Sequence, residues 1–262
     1  MRPRNLRTTM LILGCASTAY AQDAAPGRDV AAGVAPAADA SVSAPAATPR
    51  TQGGKFVVGL RLGYGVPMGA ASKPSDGSSA KMSDIFARQF PIWVDLGYQV
   101  TPNIMLGLYG QYGFGSIGSG FKTFCDAPAS PGRSPGPSCN VTDIRFGVQG
   151  QYHIAPSAQW DPWFGLGIGY EIARTRISSP TPFPDDLVVT TKGFEFANLQ
   201  AGIDYKLMRN LGIGPFVSFS LGEFNATSVN NGGTVGVPGA NEITDKTLHE
   251  WLVVGVKGAF AI

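Results

Sequence analysis

From Lys55 onward the chain alternates between apolar and polar or glycine positions with a period of two, and this limits the possible folds more than any other feature. Phe56, Val58, Leu60, Leu62 and Tyr64 fall on one face of an extended segment, and Val57, Gly59, Arg61, Gly63 and Gly65 on the other. Such alternation is the signature of a β-strand. It recurs seven more times, with apolar faces that begin at Phe90, Leu106, Ile144, Phe164, Ala197, Ile213 and Leu252. None of the apolar-face positions carries a charge.

The opposite faces decide how the strands assemble. They hold glycine and a thin scatter of charges: Arg61, Asp95, Asp143, Arg145, Glu171, Asp204, Lys206 and Lys257. If the apolar faces pointed inward, the outer surface would be mostly glycine with about one charge per strand, too few for a wetted surface. Only 15% of the residues are charged and 35 are glycine, against about 25% charged in ordinary soluble domains. With the apolar faces turned to lipid, glycine and a few charges fit inside a narrow barrel. The expected fold is therefore all-β: a transmembrane, eight-stranded, antiparallel up-and-down β-barrel over residues 55–262. There is no apolar run of roughly 18 residues, so no membrane-spanning helix is expected.

Tyrosine placement supports this orientation. Tyr64, Tyr98, Tyr112, Tyr152, Tyr170 and Tyr205 all lie on apolar faces near the C-terminal ends of their strands. Successive strands run up and down, so these phenols are shared between the two interfaces as aromatic girdles. Tight turns are expected at Thr101-Pro102-Asn103 and Met208-Arg209-Asn210, with a short connection over 155–161. Long loops are expected near 67–89, 116–140, 174–194 and 223–247, the usual asymmetry between the periplasmic and outer sides.

The N-terminal segment reads as an export signal over residues 1–21. Arg2, Arg4 and Arg7 precede a short apolar stretch, and Ala19-Tyr20-Ala21 offers cleavage between Ala21 and Gln22. Leu13-Gly14-Cys15 leaves lipidation of Cys15 as an alternative. Removing those three arginines from the 20 basic residues leaves 17 against 18 acidic ones, so no basic footprint for nucleic acid remains. Residues 22–54 contain 11 Ala and 4 Pro, without aromatics or periodicity. Such a segment is expected to be a disordered periplasmic tail, with cell-wall contact as a conceivable role.

Three stretches resemble the small eight-stranded outer-membrane barrels, the OmpA/OmpX/OmpW-like superfamily. They are Pro162-Trp163-Phe164-Gly165-Leu166-Gly167-Ile168-Gly169-Tyr170, Asn198-Leu199-Gln200-Ala201-Gly202-Ile203-Asp204-Tyr205 and the terminal Gly255-Val256-Lys257-Gly258-Ala259-Phe260-Ala261-Ile262. The resemblance covers residues 55–262 and implies an outer-membrane location. It says little about role, because one fold hosts many functions.

Candidate chemistry is sparse. The inward charges are expected to pair, Arg61 with Asp95 and Arg145 with Glu171, as a salt-bridged plug; a narrow pore is the alternative. Cys125 and Cys139 are expected to form a disulfide that pins the second long loop, since an exported chain meets an oxidising compartment. His249, near the outer rim beside Glu250, is the weak candidate for a lipid-modifying enzyme. Inward Trp93, Trp163, Trp251 and Phe216 offer a small apolar recess, and Pro215 a break in the wall. No cofactor or metal is indicated. The expected function is that of a monomeric outer-membrane barrel with structural or surface-interaction duties, in contact with outer-membrane lipid. Passage of ions or small hydrophobic solutes is second and lipid-modifying enzyme activity third.

Overall fold

In a computed structural model of the chain, the residues described are 53–72, 80–126, 137–178, 186–231, 241–243 and 246–262. The export signal, the Ala21–Gln22 cleavage point, Cys15 and nearly all of the 22–54 tail lie outside them.

Eight long strands follow one another: β1 (Lys55–Ser72), β2 (Phe86–Gln99), β3 (Ile104–Ile117), β4 (Ser138–His153), β5 (Trp160–Ser178), β6 (Leu187–Met208), β7 (Leu211–Asn231) and β8 (Leu248–Ala261). Each pairs antiparallel with its chain neighbour. Pairing of β1 with β8, from Val57 opposite Ala261 to Gly69 opposite His249, closes the sheet into a barrel. Two short helices, α1 (Met82–Ile85) and α2 (Ser119–Cys125), precede β2 and β4.

The orientation follows from neighbouring residues. Leu60 is 51% exposed, whereas Arg61 beside it is fully buried; Leu96 is 54% exposed, whereas Asp95 is buried. The apolar faces therefore form the outside, and glycine and the charges the inside. The Gly165-x-Gly167-x-Gly169 run makes room for lumen side chains. A Cβ at Gly169 would come within 2.3 Å of the Tyr109 hydroxyl, and one at Gly167 within 3.2 Å of its ring.

Three of the four expected long loops are shorter than the sequence reading, because the strands run on. β1 continues to Ser72, β5 to Ser178 and β7 to Asn231, and β6 begins at Leu187. Beyond the apolar band the pattern is carried by Thr175, Ile177, Val189, Thr191 and Val229, so hydrophobic contrast fades while the backbone ladder persists. Inside the expected 116–140 loop lies α2.

Met82, Phe86, Val141, Ala173, Phe224 and Trp251 pack together as an apolar cap at the loop end of the barrel, with Ile85, Ile117 and Ile243 against it. The cap is tied down from above. Asp84 of α1 accepts hydrogen bonds from the Ser119 hydroxyl (2.8 Å) and the Lys81 amide (3.0 Å). The Gly118 amide donates to the Ile85 carbonyl at 2.8 Å. Cys125, at the end of α2, is disulfide-bonded to Cys139 on β4.

Candidate functional site

The interior is the only place where the fold concentrates polar chemistry among the described residues. It is layered from the short-turn end to the cap. At the turn end a cavity of about 890 Å³ is lined by Lys55, His153, Asp161, Asp204, Lys206 and Lys257, among others. His153 Nδ1 lies 2.9 Å from Asp161 Oδ2, and Lys206 donates to the Pro156 carbonyl. Lys206 thus sits at the mouth rather than in the deeper charge network. Its strand is near its end there, and Asp161 is 4.0 Å away.

Lys257 forms the floor of that cavity. Its ammonium donates to Gln151 Oε1 (3.1 Å) and Asp204 Oδ2 (3.2 Å) and stands 3.9 Å from the centre of the Trp163 ring. The Trp163 indole N–H donates to the other Asp204 oxygen at 2.9 Å.

Above it, Arg61 crosses the lumen. It donates twice to Asp95, and also to Gln200 Oε1 (2.9 Å) and Gln149 Oε1 (3.3 Å). Its guanidinium lies 4.5 Å from the Trp93 ring centre and 5.4 Å from those of Trp163 and Phe216. Side chains of β2, β4, β5, β6 and β7 therefore converge on this one cation of β1, which fills the cross-section. An eight-stranded barrel is only wide enough for such a layer. Trp93, Trp163 and Phe216 pack with Tyr109 and Val253 as a buried cluster, and Trp251 belongs to the cap. The expected apolar recess is thus a packed interior, because the Arg61 guanidinium occupies the space between the rings.

A second charge cluster lies beneath the cap. Arg145 meets Asp143 (2.9 Å), Glu171 (3.3 Å) and Glu195 (3.5 Å), and donates to the Ser220 hydroxyl at 2.8 Å. Glu195 also accepts from the Tyr109 hydroxyl and from Asn198 Nδ2. His249 Nε2 is 2.8 Å from Glu171 Oε2, and its ring stacks on Phe224 with centres 4.1 Å apart. His249 is 1% exposed, so the rim position suggested for it is corrected: the extension of β7 and the cap roof it over. The neighbouring-strand pairs Arg61–Asp95 and Arg145–Glu171 are both present.

Glu195 is the functional residue that simple alternation misses. Counting upstream from Leu199 would turn it outward. A bulge between Glu195 and Ala197 reverses the parity, so Phe194 and Phe196 face out and Glu195 faces in. The signal in the sequence is the switch from even-numbered outward residues at Phe194 and Phe196 to odd-numbered ones from Leu199.

Outside, aromatic contacts form two bands. Tyr64–Phe90, Tyr112–Phe114, Phe146–Tyr170 and Tyr170–Phe194 lie toward the loop end. Phe56–Tyr98, Tyr152–Phe164 and Trp160–Tyr205 lie toward the turn end.

No family model and no curated protein matches the chain in sequence. Among solved structures the chain is similar to Neisserial surface protein A, with a TM-score of 0.43 and 12% identity over 78% of this chain and 95% of that one. It is also similar to the outer membrane protein OprG of Pseudomonas aeruginosa, with a TM-score of 0.42 and 11% identity over 80% and 96%. A major outer membrane protein of Thermus thermophilus is similar too, with a TM-score of 0.44 and 12% identity over 80% and 99%.

Proposed function

We propose that this chain is an outer-membrane barrel whose lumen does not conduct and whose working surface is its loop end. The apolar outer face between two aromatic bands supports membrane embedding, since such a belt matches hydrocarbon flanked by interfaces. The observation that carries the closed-lumen reading is the Arg61 layer, in which side chains from five other strands surround one buried guanidinium. Moving an ion past it would require breaking a bidentate, fully buried pair. The Phe86–Trp251 contact, with ring centres 5.2 Å apart, stands as a second barrier under α1. Surface interaction is favoured over transport because the described residues beyond the band are concentrated at the loop end, where α2 and β4 are joined by a disulfide.

Planar-bilayer recording on refolded protein tests this. The expected trace shows no steady conductance for the wild type. A stable ohmic channel whose conductance changes in Arg61→Ala would overturn the reading in favour of a pore.

A further inference from the structure

The loop-end aromatic band is followed on one side of the barrel by cations that no described residue neutralises. On β5, Tyr170 is succeeded outward by Ile172 and then Arg174; on β6, Phe194 is succeeded in the same direction by Lys192 and Thr190. The ladder places Tyr170 opposite Phe194, Ile172 opposite Lys192 and Arg174 opposite Thr190. Arg174 and Lys192 are thus diagonal neighbours on adjacent strands, with backbones about 7–8 Å apart, and both are exposed. Among the described residues neither makes an ion pair or a side-chain hydrogen bond. The next cation, Arg176, is already engaged by Asp186. Glu223, opposite Phe194 on β7, forms no ion pair with either.

Below these cations the outward residues of β5 and β6 are apolar, from Ile172 and Phe194 down to Phe164 and Leu199. Phe146, Tyr170 and Phe194 touch in a row, with ring centres 6.0 and 5.3 Å apart. Lys192 has Ile172 beside it, so its methylene stem covers apolar surface while its ammonium reaches the headgroup level. An aromatic interface with two cations, unpaired among the described residues and set one and two ladder steps above it, complements a ligand with acyl chains below and phosphate above. A soluble anion would have no use for the aromatic row, and a zwitterionic lipid none for two unneutralised cations.

We propose that Arg174 and Lys192, over Tyr170 and Phe194, form a binding site for the phosphorylated headgroup of an anionic lipid in the outer leaflet. Arg174 supplies a forked donor set for phosphate oxygens and Lys192 a point charge. The inference rests on the membrane reading above and adds which lipid chemistry the wall selects, and where.

The test uses the full chain refolded into phosphatidylcholine nanodiscs doped with bis-phosphorylated lipid A, with retained lipid counted by native mass spectrometry. Wild type is expected to retain the phosphorylated lipid over phosphatidylcholine and over its dephosphorylated form. The double variant R174Q/K192Q is expected to lose about tenfold in retention, the scale of two charge-assisted contacts partly compensated by neighbouring groups. Arg88→Gln is expected to change nothing, because Arg88 lies on β2, three strands from β5. Equal retention by R174Q/K192Q, indifference to the phosphates, or an equal loss in Arg88→Gln would overturn the site while leaving membrane insertion intact. Failure of the wild-type chain to enter the discs would instead remove the membrane reading, and this inference with it.

Discussion

The Arg61 guanidinium grips the Asp95 carboxylate through two hydrogen bonds, Nε to Oδ2 at 2.7 Å and Nη2 to Oδ1 at 2.9 Å. Asp95 also accepts from Gln149 Nε2 at 2.6 Å. A lone charge in that position would be uncompensated. Asp95→Ala is therefore expected to cost roughly 3–5 kcal/mol, whereas Arg61→Met with Asp95→Leu, which removes both charges, costs less. Urea unfolding from lipid vesicles, followed by gel mobility, reads the difference. Equal losses for single and double variants would mean that the ion pair is not what holds this layer.

Trp251 links the cap to the second charge cluster. Its ring meets Phe86, its indole N–H donates to Glu171 at 3.2 Å, and the Arg145 guanidinium lies 4.9 Å from its ring centre. Trp251→Ala is expected to destabilise the barrel by about 3–5 kcal/mol, the usual cost of emptying a large aromatic site. It should leave the bilayer silent, because the Arg61 layer is untouched. Conductance in the single variant would show that the cap is the principal seal.

Asp84 anchors α1 by accepting from Ser119 and from the Lys81 amide, and these bonds, the Ser119 hydroxyl foremost, hold its carboxyl below the ordinary value of 3.8. A depressed carboxylate stabilises the fold fully above 3.8, and its contribution is lost as pH falls through the lowered folded value. Titration of the Asp84 carboxyl carbon by NMR should show the depression. Ser119→Ala should move the midpoint back up toward 3.8; an unchanged midpoint would remove Ser119 as the cause.

The Cys125–Cys139 bond closes a loop across a separation of 14 residues. The chain-entropy model assigns such a closure about 3 kcal/mol. Its effect should be confined to the loop end, because the long ladder from β4 to β5 does not depend on it. Reduction is expected to open α2 to protease while heat-modifiable gel mobility of the barrel persists. Loss of both together would make the disulfide a determinant of the whole fold.

Much of the architecture can be read in the sequence because a strand's side-chain period is local: Leu60 and Arg61 declare opposite faces without reference to any other residue. The closure into eight strands, the outward tyrosines and the two neighbouring-strand ion pairs follow from that period and from chain order. Glu195 escapes the same logic, since one inserted residue in β6 inverts the faces and only the partner strand shows where the insertion is absorbed. The continuation of β5, β6 and β7 past the apolar band is likewise hidden, because backbone pairing needs no hydrophobic contrast.

The amino-acid order by itself determined the outward face of each strand and, Glu195 and Lys206 apart, the enclosed charges, since both are properties of neighbours along the chain. Only the tertiary structure decided that Arg61 gathers Asp95, Gln149 and Gln200 into one layer. It alone also put His249 against Glu171 under the cap, and left Arg174 and Lys192 above Tyr170 without partners among the described residues. The physical reason is the stagger of a closed barrel. Strands tilt and shift in register as the sheet curls round, so the residues that share a height in the lumen come from positions that no local pattern can align.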